Sequence, residues 1–357
     1  MKKSVYIHIP FCKSKCNYCD FYSVTDIALI DDYVEAVLRN IGNINHEINS
    51  VYFGGGTPSL LKPRQIHRII KALPVTSNAE ITIEINPDDI MASHDYITGI
   101  KSAGVNRLSF GVQSLADREL ETLGRRHNAK TTVEAISIAA SVFDNISVDI
   151  MLGLPGQSMN SLSETIAGLL KLPIKALSAY MLKIEPNTPF SKNLDIIKTI
   201  PRDDMVADMY LYAVDTLEKC GFMQYEISNF AKPGYECRHN LKYWKLEDYY
   251  GIGTTAHACI NGVRTACNMN INEFIKAQKQ EITITDEKPG GYFETLMLNL
   301  RLTQTGFDTK KYSDKSDEIL KKAKPFIKAG LINENNGIIT LTPKGCLVSN
   351  EVIVKLL

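Results

Sequence analysis

The sequence predicts an α/β fold, a partial (β/α)6 barrel with a small α+β, winged-helix-like module at its C-terminal end. Six short β-rich runs alternate with helical patterns from the start to about residue 182, and successive βα units call for a parallel sheet with covering helices. Right-handed crossovers curl such a sheet toward a barrel. After Pro289 the pattern changes to helices followed by a hairpin signal. The expected division is residues 1–285, with a core over 1–182 and an extension over 183–285 that closes over the sheet, and then a second unit over 286–357.

Strands are expected at Val5 to Ile9, Ser50 to Phe53, Glu80 to Ile85, Arg107 to Val112, Ser147 to Leu152 and Ala176 to Leu182. Amphipathic stretches near 29–41, 63–72, 94–103, 115–143 and 160–171 supply the helices between them. Asp203 to Lys219 places apolar residues at 205, 206, 209, 210, 213 and 217, which is helical spacing, and Gly221 ends it. The mixed segment 224–285 is rich in aromatics, among them Tyr225, Phe230, Tyr235, Tyr249 and Tyr250. Helices are expected around 291–301 and 315–329, a hairpin at Asn335-Asn336-Gly337, and a last helix from about 344.

Forty basic and forty acidic side chains cancel, which argues against a general nucleic-acid or membrane-surface binder. From Asp286 onward eleven basic residues meet nine acidic ones, so charge gives the winged module no DNA-reading role. A zinc-stabilised DNA-binding regulator is disfavoured on that ground. The apolar stretch at the N-terminus is too short for a signal h-region, and no run approaches the length of a membrane span. A cytoplasmic protein is expected, where clustered thiols stay available for metals.

Cys12, Cys16 and Cys19 lie within eight residues, just after the first strand, while Cys220, Cys237, Cys259, Cys267 and Cys346 are scattered. Disulfides fit an odd cluster poorly. Zinc needs a fourth ligand, for which His8 is the nearest candidate, although a strand histidine is more often simply packed. An iron–sulfur cube normally takes four cysteines, so three thiols leave one iron open to an exchangeable ligand. C-x3-C-x2-C after an N-terminal strand resembles the signature of the radical S-adenosylmethionine (SAM) superfamily. That resemblance implies a 4Fe-4S cluster whose open iron is chelated by SAM, with electron transfer to the sulfonium and C–S cleavage to a 5′-deoxyadenosyl radical.

Gly54-Gly55-Gly56-Thr57-Pro58 follows the second strand, where glycines permit a tight turn and close approach to a ligand. A plain strand-to-helix turn is the alternative. Glu84 differs in parity from its isoleucine neighbours and points to the opposite face of its strand. If that face is the barrel interior, the carboxylate needs a partner, for which ribose hydroxyls are suitable; a solvated edge residue is the alternative. Gln113 after the fourth strand and Asp149 in the fifth repeat the arrangement, and Arg125 either pairs a carboxylate or caps a helix.

The runs Y-I-H-I-P-F-C, GGGTP, E-I-N-P, F-G-V-Q-S, L-G-R-R-H and D-I-M-L-G-L-P-G-Q occur here in an order that resembles one radical SAM family over essentially the whole chain. That family contains oxygen-independent coproporphyrinogen III dehydrogenase (HemN) and the heme chaperone HemW. The resemblance implies Tyr6 and Tyr18 beside cluster and SAM, Gly55, Gly56 and Thr57 at the methionine end, and Glu84, Gln113, Arg125 and Asp149 at further SAM contacts. Two departures favour the chaperone branch. Asp20-Phe21 follows Cys19 where the dehydrogenase has a fourth cysteine, and the chain begins at the first strand, without the dehydrogenase's extension.

A third feature agrees: His239-Asn240-Leu241-Lys242-Tyr243-Trp244 resembles the HNxxYW motif associated with heme binding in that branch. Chemically, imidazole is a good axial ligand for heme iron, and Tyr and Trp offer flat apolar faces. A packed turn is the alternative; Cys237 and His257 are further ligand candidates. The leading expectation is a heme chaperone carrying a 4Fe-4S cluster and SAM, with no catalytic residue assigned. Its expected partners are heme and acceptor hemoproteins, among them respiratory membrane enzymes reached by transient peripheral membrane contact, with a homodimer as a further expectation. The runner-up is the coproporphyrinogen dehydrogenase itself.

Overall fold

The computed structural model describes residues 2–42, 44–91 and 94–357. Its centre is an arc of parallel strands, β1 (Lys3–Ile9), β2 (Ile48–Gly55), β3 (Val75–Ile85), β4 (Arg107–Gln113), β5 (Ile146–Leu152) and β6 (Ala176–Met181), paired in that order. All six expected strands are present. Alternation along each strand sorts its side chains. Ile7, Ile9, Phe53, Ile83, Phe110, Val148 and Ile150 are fully buried in the main core, packed with Val34, Ile66, Ile69 and Leu162 from the covering helices Ile30–Ile41, Pro63–Ala72 and Met159–Leu170. Full burial of such a side chain stabilises by roughly 1.5–3 kcal/mol. The opposite parity, Tyr52, Glu84, Ser109, Asp149 and Ser178, lines one common cavity, so the sheet curls around an interior. It does not close, because β1 and β6 pair outward with other strands rather than with each other.

The pattern expected over 115–143 is two helices, Asp117–Leu123 and Ala129–Ala140. Gly124 takes a left-handed conformation (φ 72°) and ends the first; the Asn128 side chain then accepts the Thr131 N–H at 2.8 Å and starts the second. Asp203–Lys219 is a single helix, as its spacing predicts.

The aromatic segment lengthens the sheet at both ends. β7 (Met223–Glu226) and β8 (Asn229–Ala231) extend it beyond β6, while β9 (Tyr249–Ile252), β10 (His257–Ile260), β11 (Val263–Ala266) and β12 (Thr283–Asp286) extend it beyond β1. Between these two sets the helix Arg238–Trp244 packs under the arc, with the Arg238 and His239 N–H groups donating to Glu80 and the His239 ring against Ser50. This helix forms the floor of the barrel. The C-terminal hairpin, β14 (Ile332–Asn335) and β15 (Ile338–Leu341), turns at Asn336 and Gly337, both with positive φ. A two-residue strand, β13 (Phe307–Asp308), adds a third partner that the sequence pattern does not reveal. Among the described residues no helix is long and apolar enough to cross a membrane.

Candidate functional site

A cavity of about 390 Å³ opens at the C-terminal ends of the parallel strands, where all three clustered thiols meet the glycine loop and the inward carboxylates. The cysteine loop is placed by backbone contacts. Cys12 N–H donates to Val24 O (3.0 Å), Val24 N–H to Pro10 O (2.7 Å), Asn17 N–H to Leu123 O (3.0 Å) and Phe190 N–H to Asn17 O (3.0 Å). Phe11 anchors it from below, fully buried and edge-on to Tyr33 at 5.4 Å. Cys12, Cys16 and Cys19 are half-buried free thiols. Thr57 Oγ1 donates to Cys12 Sγ (3.6 Å) and Arg125 Nη1 to Cys16 Sγ (3.5 Å). Burial pushes the Cys19 thiol up.

Among the described residues no three His, Cys, Asp or Glu side chains form a group able to hold a metal ion. All three thiols line the one cavity, and three soft sulfur donors there would suit an iron–sulfur cluster. His8 is a packed strand residue: Nδ1 pairs with the Tyr6 hydroxyl (3.1 Å) and Nε2 with the Tyr22 carbonyl (3.1 Å), and burial lowers its pKa.

The glycine loop lies so close to its neighbours that side chains are excluded. Gly55 has φ +114°, and a Cβ there would come within 2.5 Å of the His8 ring; a Cβ on Gly56 would stand 2.7 Å from Phe11 O. The Gly56 N–H donates to Ile9 O (2.9 Å) and the Gly55 N–H to Glu84 Oε2 (3.1 Å). The loop is thus tied to the cysteine segment on one side and to a carboxylate on the other.

Glu84 also accepts from the Tyr52 hydroxyl at 2.9 Å. Burial, reinforced by the charge of Asp149, pushes Glu84 up to about 7, and burial raises Asp149, which accepts from Ser109 Oγ at 3.4 Å. Two recessed carboxylates with raised pKa values form a site that gains from a cation bearing hydrogen-bond donors. Gln113 reaches the cavity from a left-handed conformation (φ 68°), an uncommon one for a residue with a side chain. Arg125 Nη2 donates to Asn86 Oδ1 and Gly111 O, both at 2.6 Å, while its buried Nε has no partner among the described residues. Tyr18 is also in the wall; Tyr6 stacks on Tyr52 at 6.2 Å, below it.

Asn86, Tyr52 and Arg107 belong to the same interior, although sequence pattern alone does not single them out. Asn86 Nδ2 donates to Thr57 Oγ1 (3.2 Å), completing a chain from Arg125 to Cys12. Its place in E-I-N-P, directly after a strand end, was the available signal.

Glu84 gives a stability prediction with a definite sign. Its folded pKa lies above the unfolded value near 4.5, so its contribution is fully present below that value and is lost as pH rises toward 7. Urea unfolding of the cofactor-free protein at pH 5 and pH 8 should therefore show Glu84→Gln gaining relative to wild type at the higher pH. Parallel pH dependences of the two proteins would refute the assignment.

The residues named for heme are not gathered around one cavity. His239 is 1 % exposed, with Nδ1 paired to Ser50 Oγ (3.0 Å) and Nε2 to the Tyr243 hydroxyl (2.8 Å). Burial lowers its pKa to about 3, keeping the imidazole neutral, but neither nitrogen is free as folded. Asn240 faces the cavity above. Trp244 turns the other way, its ring under the Arg301 guanidinium at 5.4 Å and its carbonyl accepting from Asn299 Nδ2 at 2.8 Å. In this conformation the set does not fit an axially ligated heme. Cys237 is buried and its thiol is pushed up to about 12 by burial, and His257 is exposed at the start of β10.

Comparison with known proteins places these features in context. The Radical SAM superfamily profile matches residues 6–168 and the HemN C-terminal domain profile residues 291–348. The chain is 35% identical to the "Heme chaperone HemW" of Bacillus subtilis, over 98% of each chain. It is 35% identical to the protein of the same name from Escherichia coli, over 84% of this chain and 83% of that one. Its fold matches that of coproporphyrinogen III oxidase (HemN) from Escherichia coli with a TM-score of 0.83 at 20% identity, covering 99% of this chain and 90% of that one.

Proposed function

Because the chain belongs to the HemW heme-chaperone family within the radical SAM superfamily, we propose that it binds heme and transfers it to acceptor hemoproteins, respiratory enzymes among them. In this reading it carries a 4Fe-4S cluster on Cys12, Cys16 and Cys19 and SAM in the adjoining cavity. The observation that carries the reading is that cavity, in which three thiols, the Gly55–Thr57 loop and two raised carboxylates meet in a chain related end to end to heme chaperones.

When bound, the cluster supplies an electron and SAM a sulfonium able to receive it. This chain's own residues bind and orient. Gly55, Gly56 and Thr57 present backbone groups and a hydroxyl to the amino-acid end of SAM. Glu84, Asp149 and Gln113 take its donors, and Arg125 holds Cys16, Asn86 and the end of β4 in register. Tyr18 shields the inner wall, and Tyr6 backs Tyr52. The heme element is assigned to His239, Asn240, Tyr243 and Trp244 on the HNxxYW resemblance alone, since as folded both His239 nitrogens are engaged by Ser50 and Tyr243. Residues 1–285 then form the barrel with its extension and 286–357 a separate winged-helix-like unit. That division is supported by the profile match at 291–348 and by the separate small sheet. A cytoplasmic homodimer with transient membrane contact completes the proposal.

Phe21, 63 % exposed where the dehydrogenase carries a further thiol, favours delivery over porphyrinogen oxidation. The test is anaerobic reconstitution followed by heme titration and incubation with a heme-free acceptor hemoprotein. Broad visible absorbance bleached by reductant, a Soret band, and its transfer to the acceptor are expected, with no protoporphyrinogen formed from coproporphyrinogen III. Protoporphyrinogen formation would replace the reading by the dehydrogenase.

A further inference from the structure

Below the residues assigned to SAM, the barrel interior holds a buried charge without a partner. Arg107 opens β4, two residues before Ser109, which lies level with Glu84 in the register of β3 and β4. It therefore sits one inward layer deeper than Glu84, about 7 Å along the strand. Arg107 is 3 % exposed and lines the cavity together with Ser109, Ser178, Asn229 and Asn240.

Its guanidinium donates no hydrogen bond and forms no ion pair among the described residues, and its Nε is sealed from solvent without a partner. The carboxylates around it are engaged elsewhere. Glu84 accepts from Tyr52 and Gly55, Asp149 from Ser109, and Glu80 from the N–H groups of Arg238 and His239. Opposite Arg107 on β3, Thr82 is fully buried and its Oγ1 is likewise unpartnered among the described residues. Folded interiors pair nearly all such groups, and a buried cation left alone is strongly destabilising.

We propose that this lower chamber is a binding site for a small organic acid, whose carboxylate pairs with the Arg107 guanidinium beneath the SAM residues. A guanidinium presents a planar fork of donors that matches the two oxygens of a carboxylate. One unpaired cation supports one negative charge. A doubly charged phosphate would stand against Glu84 and Asp149 in the same cavity, and a neutral ligand would leave the guanidinium unpaired. The other walls favour a short polar molecule. Ser109 and Ser178 donate to Asp149 and Asn229, at 3.4 and 2.7 Å, and keep oxygen lone pairs for a ligand hydroxyl. A short hydroxy acid therefore suits both ends of the chamber. Nothing in this site depends on heme.

The test uses full-length protein with its cluster reconstituted and oxidised, in carboxylate-free buffer, with carbon-13-labelled acetate as the probe. Broadening of the acetate signal by the protein reports binding, with chloride holding the ionic strength constant. Acetate is expected to bind, whereas acetamide, of the same shape without the charge, is not. Arg107→Met removes the charge, and acetate affinity should fall by at least about ten-fold, the loss of one charge-assisted hydrogen-bonded pair. Binding should persist at saturating SAM. No broadening of acetate, equal binding of acetamide, or full affinity in Arg107→Met would each overturn the site. Displacement of acetate by SAM would give Arg107 to the carboxylate of SAM itself and overturn a separate ligand. If Arg107→Met fails to fold, Arg107→Lys takes its place; it keeps the charge but loses the planar fork, and it should also bind acetate more weakly.

Discussion

Replacing Cys16 by serine should abolish the broad visible absorbance of the anaerobically reconstituted protein while changing its folding stability by less than about 1 kcal/mol. The two halves of that expectation rest on different contacts. The loop is held by main-chain hydrogen bonds to Val24, Leu123 and Phe190 and by the buried Phe11 ring, none of which involves a thiol. The Cys16 sulfur accepts one hydrogen bond among the described residues, from Arg125 Nη1, and serine keeps an acceptor there. A cluster held by three thiolates has no spare ligand, so losing one removes a third of the protein donors. The measurement is the visible spectrum and iron content beside a thermal melt. Full iron content in the variant would move the cluster off this loop. If the cluster regulates heme handling, heme transfer should change as well; unchanged transfer in the triple Cys12, Cys16, Cys19→Ala protein would end that idea.

Much of this site was legible because its residues sit at strand ends, where a period-two pattern states which face each side chain takes. Glu84 and Asp149 were recognisable as polar residues of the wrong parity in isoleucine-rich strands, and the structure places both in the cavity. Gln113 could be placed at the end of the fourth strand, where it is the last residue of β4, but its left-handed backbone could not, since nothing in the residue type announces φ 68°. Tyr52 was hidden for the opposite reason: an aromatic residue in a strand reads as packing, and only the register of β2 against β3 brings its hydroxyl to Glu84. The segment 224–285 was the least readable. Its strands are three or four residues long, and the two that join it to the parallel sheet, β9 and β8, pair with β1 at the far end of the chain and with β6 more than fifty residues away. Short strands carry little periodic signal, and their partners are set by tertiary contacts. The burial of His239 belongs to the same class, because it depends on Ser50 and Glu80.

That burial makes His239→Ala the substitution with the largest combined effect. The ring fills the barrel floor between Tyr52 and Tyr243, with centroids at 5.2 and 5.3 Å. Its removal leaves a cavity, strips Tyr243 Oη of its imidazole partner and ends the aromatic contact to Tyr52. Ser50 keeps its bond to Ser4, which limits the polar loss to one hydroxyl. Truncation of a buried ring with a lost hydrogen bond amounts to about 3 kcal/mol, measurable as a lower urea midpoint. The same variant should lose the Soret band if His239 is the axial ligand, and the two losses can be separated. In His239→Gln a side-chain amide replaces both polar ends of the ring, so stability should recover in part. An amide is a poor substitute for imidazole on heme iron, so the Soret band should stay absent. A Soret band unaltered in both variants would place the heme on another ligand, and the closed contacts of His239 would then describe a purely structural floor.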